Sequence, residues 1–290
     1  MCIRDCSFFM RYVLGVVSLD HPADEDGITP FERGSLAHGI LDRFLTESIE
    51  ADALPSYAAP WRPDHHHRLD RICDEEFALV ESRGLTGRPL LWQRDGDRLR
   101  RALQEFLFHD DERRNNDLLT PAAAEMPFGF DGNEPLVFRL ANGRALRFRG
   151  RIDRVDRAVD GRLVVTDFKT GKKQYYNKVS EDSPDVDGQY LQLPLYGLAA
   201  RERLATPDTD VEVRYWFLTD GGKIIGHPLS APVLERFDHV LTTIIDGIEQ
   251  GLFPARPPKS SYGIGCDYCD PDRLGTKSLT SLWNRKRQDS

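Results

Sequence analysis

Residues 149–173, RGRIDRVDRAVDGRLVVTDFKTGKK, contain two strand-like runs that are separated by a tight turn. The turn is the Asp160-Gly161 pair, and an Asp-Gly pair between alternating or β-branched runs is a strong signal for a β-hairpin. The sequence therefore predicts two antiparallel strands, at about 146–157 and 162–168.

Two carboxylates and one ammonium group are expected to meet on this hairpin. Side chains two apart in a strand share a face, so Asp167 and Lys169 point the same way while Phe168 points to the opposite layer. Asp153 reaches their face if the turn sets the register. Close carboxylates repel unless a cation separates them, and oxygen-ligated Mg²⁺ or Mn²⁺ is the usual cation. The alternative is a solvated strand end with an Asp-Lys ion pair, and the dipeptide pattern alone does not separate the two.

Five segments together resemble one family. GRIDRVD (150–156) and LVVTDFKTGK (163–172) are similar to the D…(D/E)xK core of the PD-(D/E)xK nuclease superfamily, in particular its RecB-like branch of the RecB/AddB C-terminal nuclease type. The other three agree in order and spacing: GSLAHGILDRF (34–44), QYLQLPLY (189–196) and CDYC (266–269). The resemblance implies an α/β, restriction-endonuclease-like fold with a mixed central β-sheet and flanking helices.

The resemblance also implies a set of metal ligands. His38 stands at the GxxxH position of the family, where a histidine binds the metal, although a single histidine on a helix is more often a core or surface residue. The implied partners are Asp153, Asp167 and the carbonyl of Phe168, with Mg²⁺ or Mn²⁺ as the ion. A glutamate just before the hairpin recurs near the metal in the family, which makes Glu125 a possible site residue, with an ordinary exposed carboxylate as the alternative.

The activity implied by the resemblance is metal-dependent hydrolysis of DNA phosphodiesters, by either exonuclease or endonuclease cutting. Lys169 would position or activate the attacking water. Gln192 and Tyr196, which are i,i+4 neighbours on a predicted helix, would hold the scissile strand. Related domains work beside a helicase in DNA repair and recombination, and the chain has no GxxxxGK[ST] phosphate loop, so unwinding is expected from a partner. The rival hypothesis is a catalytically weak or inactive DNA-binding and assembly module with the same fold.

The cysteines suggest a second cofactor. CDYC offers two thiolates at CxxC spacing, which suits zinc or an iron–sulfur cluster. By resemblance to cluster-bearing RecB-like nucleases, Cys6, Cys266 and Cys269 would bind a 4Fe–4S cluster. Gly275 occupies the third downstream cysteine position, so the ligand set is incomplete unless another cysteine completes it. Packed thiols and a zinc-stapled structural domain are the alternatives.

The composition is that of an ordinary soluble protein. Among 290 residues, 40% are hydrophobic and 30% charged, and no apolar run approaches the roughly 18 residues of a membrane span. The apolar run near the start carries an arginine and lacks a signal-cleavage pattern. We therefore expect a cytoplasmic protein without membrane contact. The net charge of −8 does not favour nonspecific DNA binding, but it is compatible with a local basic groove.

The remaining elements follow from hydrophobic spacing and turn residues. A single domain over residues 1–290 is expected, with a helical insertion at about 52–120 and a cysteine-bearing tail at about 256–290. Apolar periodicity predicts helices at 1–18, 31–51, 68–83, 91–111, 188–204 and 231–250. Turns at Asn142-Gly143 and at residues 220–222 predict two further strand pairs, 135–140 with 145–156 and 211–219 with KIIGHPL. The run of three histidines at 65–67 is expected to lie in a loop.

Overall fold

The structure is a computed structural model, and it describes residues 14–15, 27–51, 53–253 and 285. The chain divides into two compact units. The larger unit consists of Ala23–Val186 and Tyr190–Phe237, and the smaller of Met1–Pro22, Asp187–Gln189 and Asp238–Ser290. The helix predicted at 1–18 and the tail at 256–290 lie almost wholly outside the described residues.

The described elements form a mixed α/β arrangement, in which three helices precede a run of five strands and the last two strands lie between two helices. The described helices are α1 (Pro30–Glu50), α2 (Pro63–Ser82), α3 (Pro89–Asp117), α4 (Gln192–Leu204), α5 (Ala231–Glu249) and a short 3₁₀ helix (Lys173–Tyr176). The described strands are β1 (Leu119–Phe128), β2 (Leu136–Arg139), β3 (Ala145–Phe148), β4 (Gly150–Ala158), β5 (Leu163–Lys169), β6 (Val211–Phe217) and β7 (Lys223–Pro228). Among these helices, none combines the length and the apolar character that a bilayer crossing requires.

The main sheet has five strands in the order β1-β4-β5-β6-β7. Strands β5 and β6 are parallel, and the other neighbours are antiparallel. A mixed sheet flanked by helices confirms the predicted restriction-endonuclease-like fold class. The hairpin of β4 and β5 across Gly161 is also confirmed, because the register pairs Arg154 with Thr166 and Arg157 with Leu163.

The two faces of the sheet are both buried, which explains the nearly continuous apolar run of β5. On one face Phe168 and Trp216 pack against Phe106 of α3, with ring centroids 5.4 and 5.0 Å from it. On the other face Val165 and Val213 belong to the cluster that includes side chains of α4. Phe168 therefore points away from the face of its neighbours Asp167 and Lys169, as predicted.

Helix α1 begins where the sequence predicts it. Thr29 caps the helix, because its hydroxyl accepts the Glu32 N–H at 3.1 Å and the Glu32 carboxylate accepts the Thr29 N–H in return. Pro30 at the first helical position needs no N–H partner. The apolar stripe of the helix is buried, and its members are Leu36, Ile40, Leu41, Phe44 and Leu45. His38 lies beside this stripe with a partly exposed side chain.

The single strand predicted at 145–156 is wrong, because the chain changes partner at Arg149. Strand β3 pairs with β2 in a separate two-stranded sheet, whereas β4 pairs with β1 from Gly150 onward. At Gly150 a Cβ atom would lie 2.6 Å from the ring of Phe128, so only glycine allows this approach to β1. Strands β2 and β3 therefore form a hairpin outside the main sheet.

The histidine run at 65–67 is helical, which contradicts the predicted loop. Helix α2 begins at Pro63, directly after its N-cap residue Arg62. The Arg62 N–H donates to His65 Nδ1 at 3.0 Å, so the histidine side chain gives this N–H a hydrogen-bond partner at the start of the helix. Helix α3 likewise extends beyond the predicted 111. Its last turns lack apolar spacing, but Arg114 is buried there through ion pairs with two aspartates.

Candidate metal centre

The acidic residues of the hairpin lie just beyond its last regular pair. Arg154 pairs with Thr166, so Asp153 and Asp167 are the next residues along the two antiparallel strands and their side chains share a face. Both are almost fully buried, at 7% and 1% exposure. Asp153 Oδ2 accepts the Phe168 N–H at 2.6 Å, so the main chain of β5 holds this carboxylate in place.

His38 and Glu125 complete a cluster around Asp153. His38 Nδ1 lies 3.3 Å from Asp153 Oδ2. Glu125 faces Asp153 across the β1–β4 ladder, since the neighbouring pairs are Ala124 with Arg154 and Met126 with Ile152. One possible ligand atom from each of the three residues lies within 4.8 Å of the others. Four separate elements of the fold thus meet here: α1, β1, β4 and the backbone of β5.

The electrostatics of this cluster favour a cation. Burial is the largest cause that raises the pKa of Glu125 to about 7, followed by the charges of Asp153 and Asp42, against the opposite effect of His38 and Arg151. Burial lowers the pKa of His38, but the hydrogen bond and charge of Asp153, together with the charge of Asp167, raise it above its ordinary value. Metal ligands must be deprotonated, so a bound cation would displace these protons.

Asp167 is paired with Lys169 in this structure. The Lys169 ammonium contacts Asp167 Oδ2 directly. Asp167 is not part of the group of possible metal ligands formed by His38, Glu125 and Asp153. Burial and the Asp153 charge raise the pKa of Asp167, although Lys169 acts against this. Burial lowers the pKa of Lys169, but the charge and the hydrogen bond of Asp167 outweigh this effect and raise the pKa above its ordinary value. Lys169 is therefore a charged ammonium group at neutral pH.

Gln192 and Tyr196 extend this polar chain on α4. Lys169 Nζ donates to Gln192 Oε1 at 3.2 Å, and Gln192 Nε2 donates to Tyr196 Oη at 3.1 Å. The Tyr196 ring packs edge-on against Phe128, with centroids 6.1 Å apart. The structure brings both residues to the Lys169 side of the cluster, where Gln192 contacts the ammonium group and Tyr196 contacts Gln192.

The donor set fits a divalent cation. One imidazole and several carboxylates are ligands that Mg²⁺ and Mn²⁺ accept. The main chain of Phe168 lies beside Asp153, so its carbonyl stays a predicted ligand. Sequence reasoning missed Asp42, whose pKa is raised first by burial and also by the charge of Asp153. Its position four residues after His38, on the same side of α1, was the available signal.

The predicted cluster cysteines, Cys6, Cys266 and Cys269, lie outside the described residues. Cys73 is described and is fully buried in the apolar cluster between the helices and the sheet. Burial raises the pKa of its thiol to about 12. A thiol that remains protonated is an apolar packing group rather than a metal ligand.

Comparison with known proteins gives a family for the whole arrangement. The model of the PD-(D/E)XK nuclease superfamily matches residues 4–273. The B subunit of the ATP-dependent helicase/deoxyribonuclease of Symbiobacterium thermophilum is 33% identical over 193 residues, which cover 59% of this chain and 14% of that protein. The protein of the same name from Bacillus thuringiensis is 34% identical over 150 residues, or 48% of this chain and 12% of that protein.

A third relative of that name, from Ruminiclostridium cellulolyticum, is 27% identical over 177 residues, or 58% of this chain and 14% of that protein. The chain thus matches about one seventh of the length of these relatives. The family match is far more extensive than the hairpin motif, because it includes the helical segment, the sheet and α4. Its coverage of nearly the entire sequence establishes that this chain belongs to the PD-(D/E)XK nuclease superfamily.

Proposed function

We propose that this chain hydrolyses DNA phosphodiester bonds in a reaction that depends on Mg²⁺ or Mn²⁺. The observation that carries the proposal is the convergence of ligand atoms from His38, Glu125 and Asp153 within 4.8 Å. A buried carboxylate and a charged lysine stand next to them. This combination is suited to a reaction in which negative charge develops on a phosphate.

The cation would be held by His38, Asp153, Asp167 and the Phe168 carbonyl, with Glu125 as a further ligand. When bound, it would supply Lewis-acid stabilisation of phosphate charge and a lower pKa for water. The Lys169 ammonium contacts only Oδ2 of Asp167, so Oδ1 can bind the cation while this contact persists.

Lys169 would donate hydrogen bonds to the attacking water or to a phosphate oxygen, because its raised pKa keeps it charged. A charged ammonium is a donor and a source of positive charge, and it does not accept a proton. Gln192 would act as a positioning residue through its bond to Lys169, and Tyr196 through its bond to Gln192. Both side chains remain close enough to the site to hold the scissile strand.

A role in DNA repair and recombination beside a helicase is the wider proposal. It is supported by the relatives, whose name combines a helicase and a deoxyribonuclease. Cutting from an end and cutting at internal sites are both compatible with the site. A cytoplasmic location and a 4Fe–4S cluster on Cys6, Cys266 and Cys269 stay predictions from the sequence, and iron and sulfide analysis of the purified protein tests the cluster.

A catalytically weak DNA-binding or assembly module is the second candidate. The contact between Asp167 and Lys169 favours it, because the ammonium already compensates part of the negative charge that would attract a cation. The two candidates share the fold and differ in whether the bound DNA is cut.

The deciding experiment is a nuclease assay on labelled single- and double-stranded DNA with Mg²⁺ or Mn²⁺. We expect cutting that requires the metal, and a loss of about a hundredfold or more in both Asp153→Asn and Lys169→Ala. Lys223→Ala, which removes an exposed lysine from β7, is the matched control and should cut like the wild type. A wild-type protein that binds DNA but cuts it with neither metal would overturn the proposal in favour of the second candidate.

A further inference from the structure

Residues 136–151, LVFRLANGRALRFRGR, form the most basic stretch beside the metal site. We name β2, β3, their connecting turn and the link to β4 the arginine hairpin. It contains five arginines and no acidic residue, in a chain whose net charge is −8. An acidic protein that concentrates positive charge in one segment has a local surface suited to a polyanion.

Strand alternation places the larger apolar side chains, Leu136, Phe138, Leu146 and Phe148, on the inward face, and Arg139 and Arg147 on the outward face. Phe138 packs against Phe237, with ring centroids 5.4 Å apart, and Phe148 packs against the cluster beside the sheet. On the opposite face Arg139 and Arg147 are exposed, and Arg147 stands across from the half-exposed Val137. The apolar side therefore anchors the hairpin, and the guanidinium groups face solvent.

The guanidinium groups of Arg139, Arg147 and Arg149 are not neutralised by nearby acids, whereas Arg151 pairs with the exposed Asp131. Within the part of the chain that the structure describes, Arg139, Arg147 and Arg149 make no ion pair. By contrast, Arg43 on α1 and Arg71 on α2 bind several glutamates. The positive charge of these three arginines is therefore not compensated by an ion pair in the described part of the chain, and it is available to an anionic ligand.

The arginine row continues to the candidate metal centre. The Arg149 guanidinium lies 5.0 Å above the half-exposed ring of Phe130. Arg151, the last residue of the hairpin segment, has its Nε 3.9 Å from Glu125 Oε2 and is two residues before Asp153. A polyanion bound along the hairpin would therefore extend to the candidate metal centre.

We propose that the arginine hairpin binds the sugar-phosphate backbone of the DNA strand that is delivered to the metal centre. This inference rests on the proposed nuclease function. Guanidinium groups bind phosphate oxygens in a bidentate manner, and each such contact releases condensed counterions. Because phosphate contacts carry no base information, the binding is independent of sequence.

The test is the salt dependence of DNA binding without divalent metal, so that it does not depend on cutting. For Arg139→Gln/Arg147→Gln we expect affinity for a single-stranded oligonucleotide to fall about tenfold or more at about 0.1 M salt. The slope of log affinity against log salt should become shallower by about 1.4, which corresponds to two lost phosphate contacts on a single strand. Arg139→Lys/Arg147→Lys should restore most of the slope, because the charge remains.

Arg98→Gln/Arg101→Gln on α3 is the matched control, since it removes the same charge from two exposed arginines. Circular dichroism melting checks that each variant is folded. An unchanged slope in the hairpin variant, or an equal loss in the control, overturns the proposal. So does an unchanged DNA slope accompanied by lost binding of polyglutamate, since the face would then serve an acidic protein. A wild type that binds DNA through the hairpin but never cuts contradicts only the nuclease proposal.

Discussion

At the scale of single residues, Glu125 is the most informative position. Its φ of 42° lies in the left-handed region, which a residue with a long side chain seldom adopts. It is also partly buried and faces Asp153 across β1 and β4. Backbone strain and a raised pKa at the same residue are typical of functional sites, where the surrounding structure enforces an unfavourable arrangement.

Glu125→Gln should stabilise the metal-free protein at alkaline pH. The folded-state pKa of about 7 is above the ordinary value, so the folded protein retains a proton that the unfolded chain releases. Stability is therefore lost as the pH rises from about 4.5 to about 7, and glutamine does not titrate. We expect the variant to be more stable by about 1 to 2 kcal/mol near pH 8 in EDTA, and nearly equal to wild type near pH 4.5.

Urea unfolding at both pH values measures this difference. Glu134→Gln, a change at an exposed glutamate in the loop before β2, is the control and should shift stability at neither pH. A Glu125→Gln protein that is less stable than wild type near pH 8 would show that the carboxylate is not held in an unfavourable environment.

At the scale of elements, α3 and β4 are joined by a buried ion network. Asp110 of α3 accepts Arg114 Nε and the Trp61 indole N–H, both at 2.8 Å. Its other oxygen lies 2.7 Å from a guanidinium nitrogen of Arg154 on β4, which also binds Asp156. The four charged side chains are at most 1% exposed. This network explains why the central strand β4 contains the buried charged residues Arg154 and Asp156.

Asp110→Asn should destabilise the fold by about 3 to 5 kcal/mol, because two buried guanidinium groups would lose their shared carboxylate. Burial raises the pKa of Asp110, but the charges of Arg154 and Arg114 outweigh this effect and hold the pKa below its ordinary value. The carboxylate is therefore ionised at neutral pH. Denaturant unfolding at neutral pH gives the value. Asp97→Asn, at an exposed position of the same helix, should change stability by less than about 0.5 kcal/mol. Equal effects in the two variants would mean that the network adds no stability.

At the scale of the whole molecule, the metal centre joins segments that are far apart in sequence. Carboxylates from four elements approach each other there, namely Asp42, Glu125, Asp153 and Asp167. A cation that binds them in the folded state alone must stabilise the entire larger unit by mass action.

We expect Mn²⁺ or Mg²⁺ to raise the melting temperature of the protein. At a hundred times the dissociation constant the gain is about 2.7 kcal/mol, or roughly 5 to 10 °C for a domain of this size. Asp153→Asn should lose most of this shift, because Asp153 contacts both His38 and the β5 backbone. Thermal denaturation with KCl at matched ionic strength is the control. A shift that persists in Asp153→Asn would place the cation elsewhere.

Local patterns along the chain predict several elements of the fold and several residues of the site. Asp160-Gly161 predicts the β4–β5 turn, apolar spacing predicts α1, and alternation places Phe168 opposite Asp167. Turn geometry, helical periodicity and strand alternation depend on neighbours within a few residues, so they can be read directly along the chain.

The partners of those residues become visible in the folded structure. It aligned Glu125 with Asp153, bound Asp167 to Lys169, and separated the arginine hairpin from the main sheet at Gly150. The physical reason is that strand pairing, desolvation and the choice of ionic partner depend on residues distant in sequence. Burial and nearby charge, which set the pKa values of the site, exist only once those segments pack together.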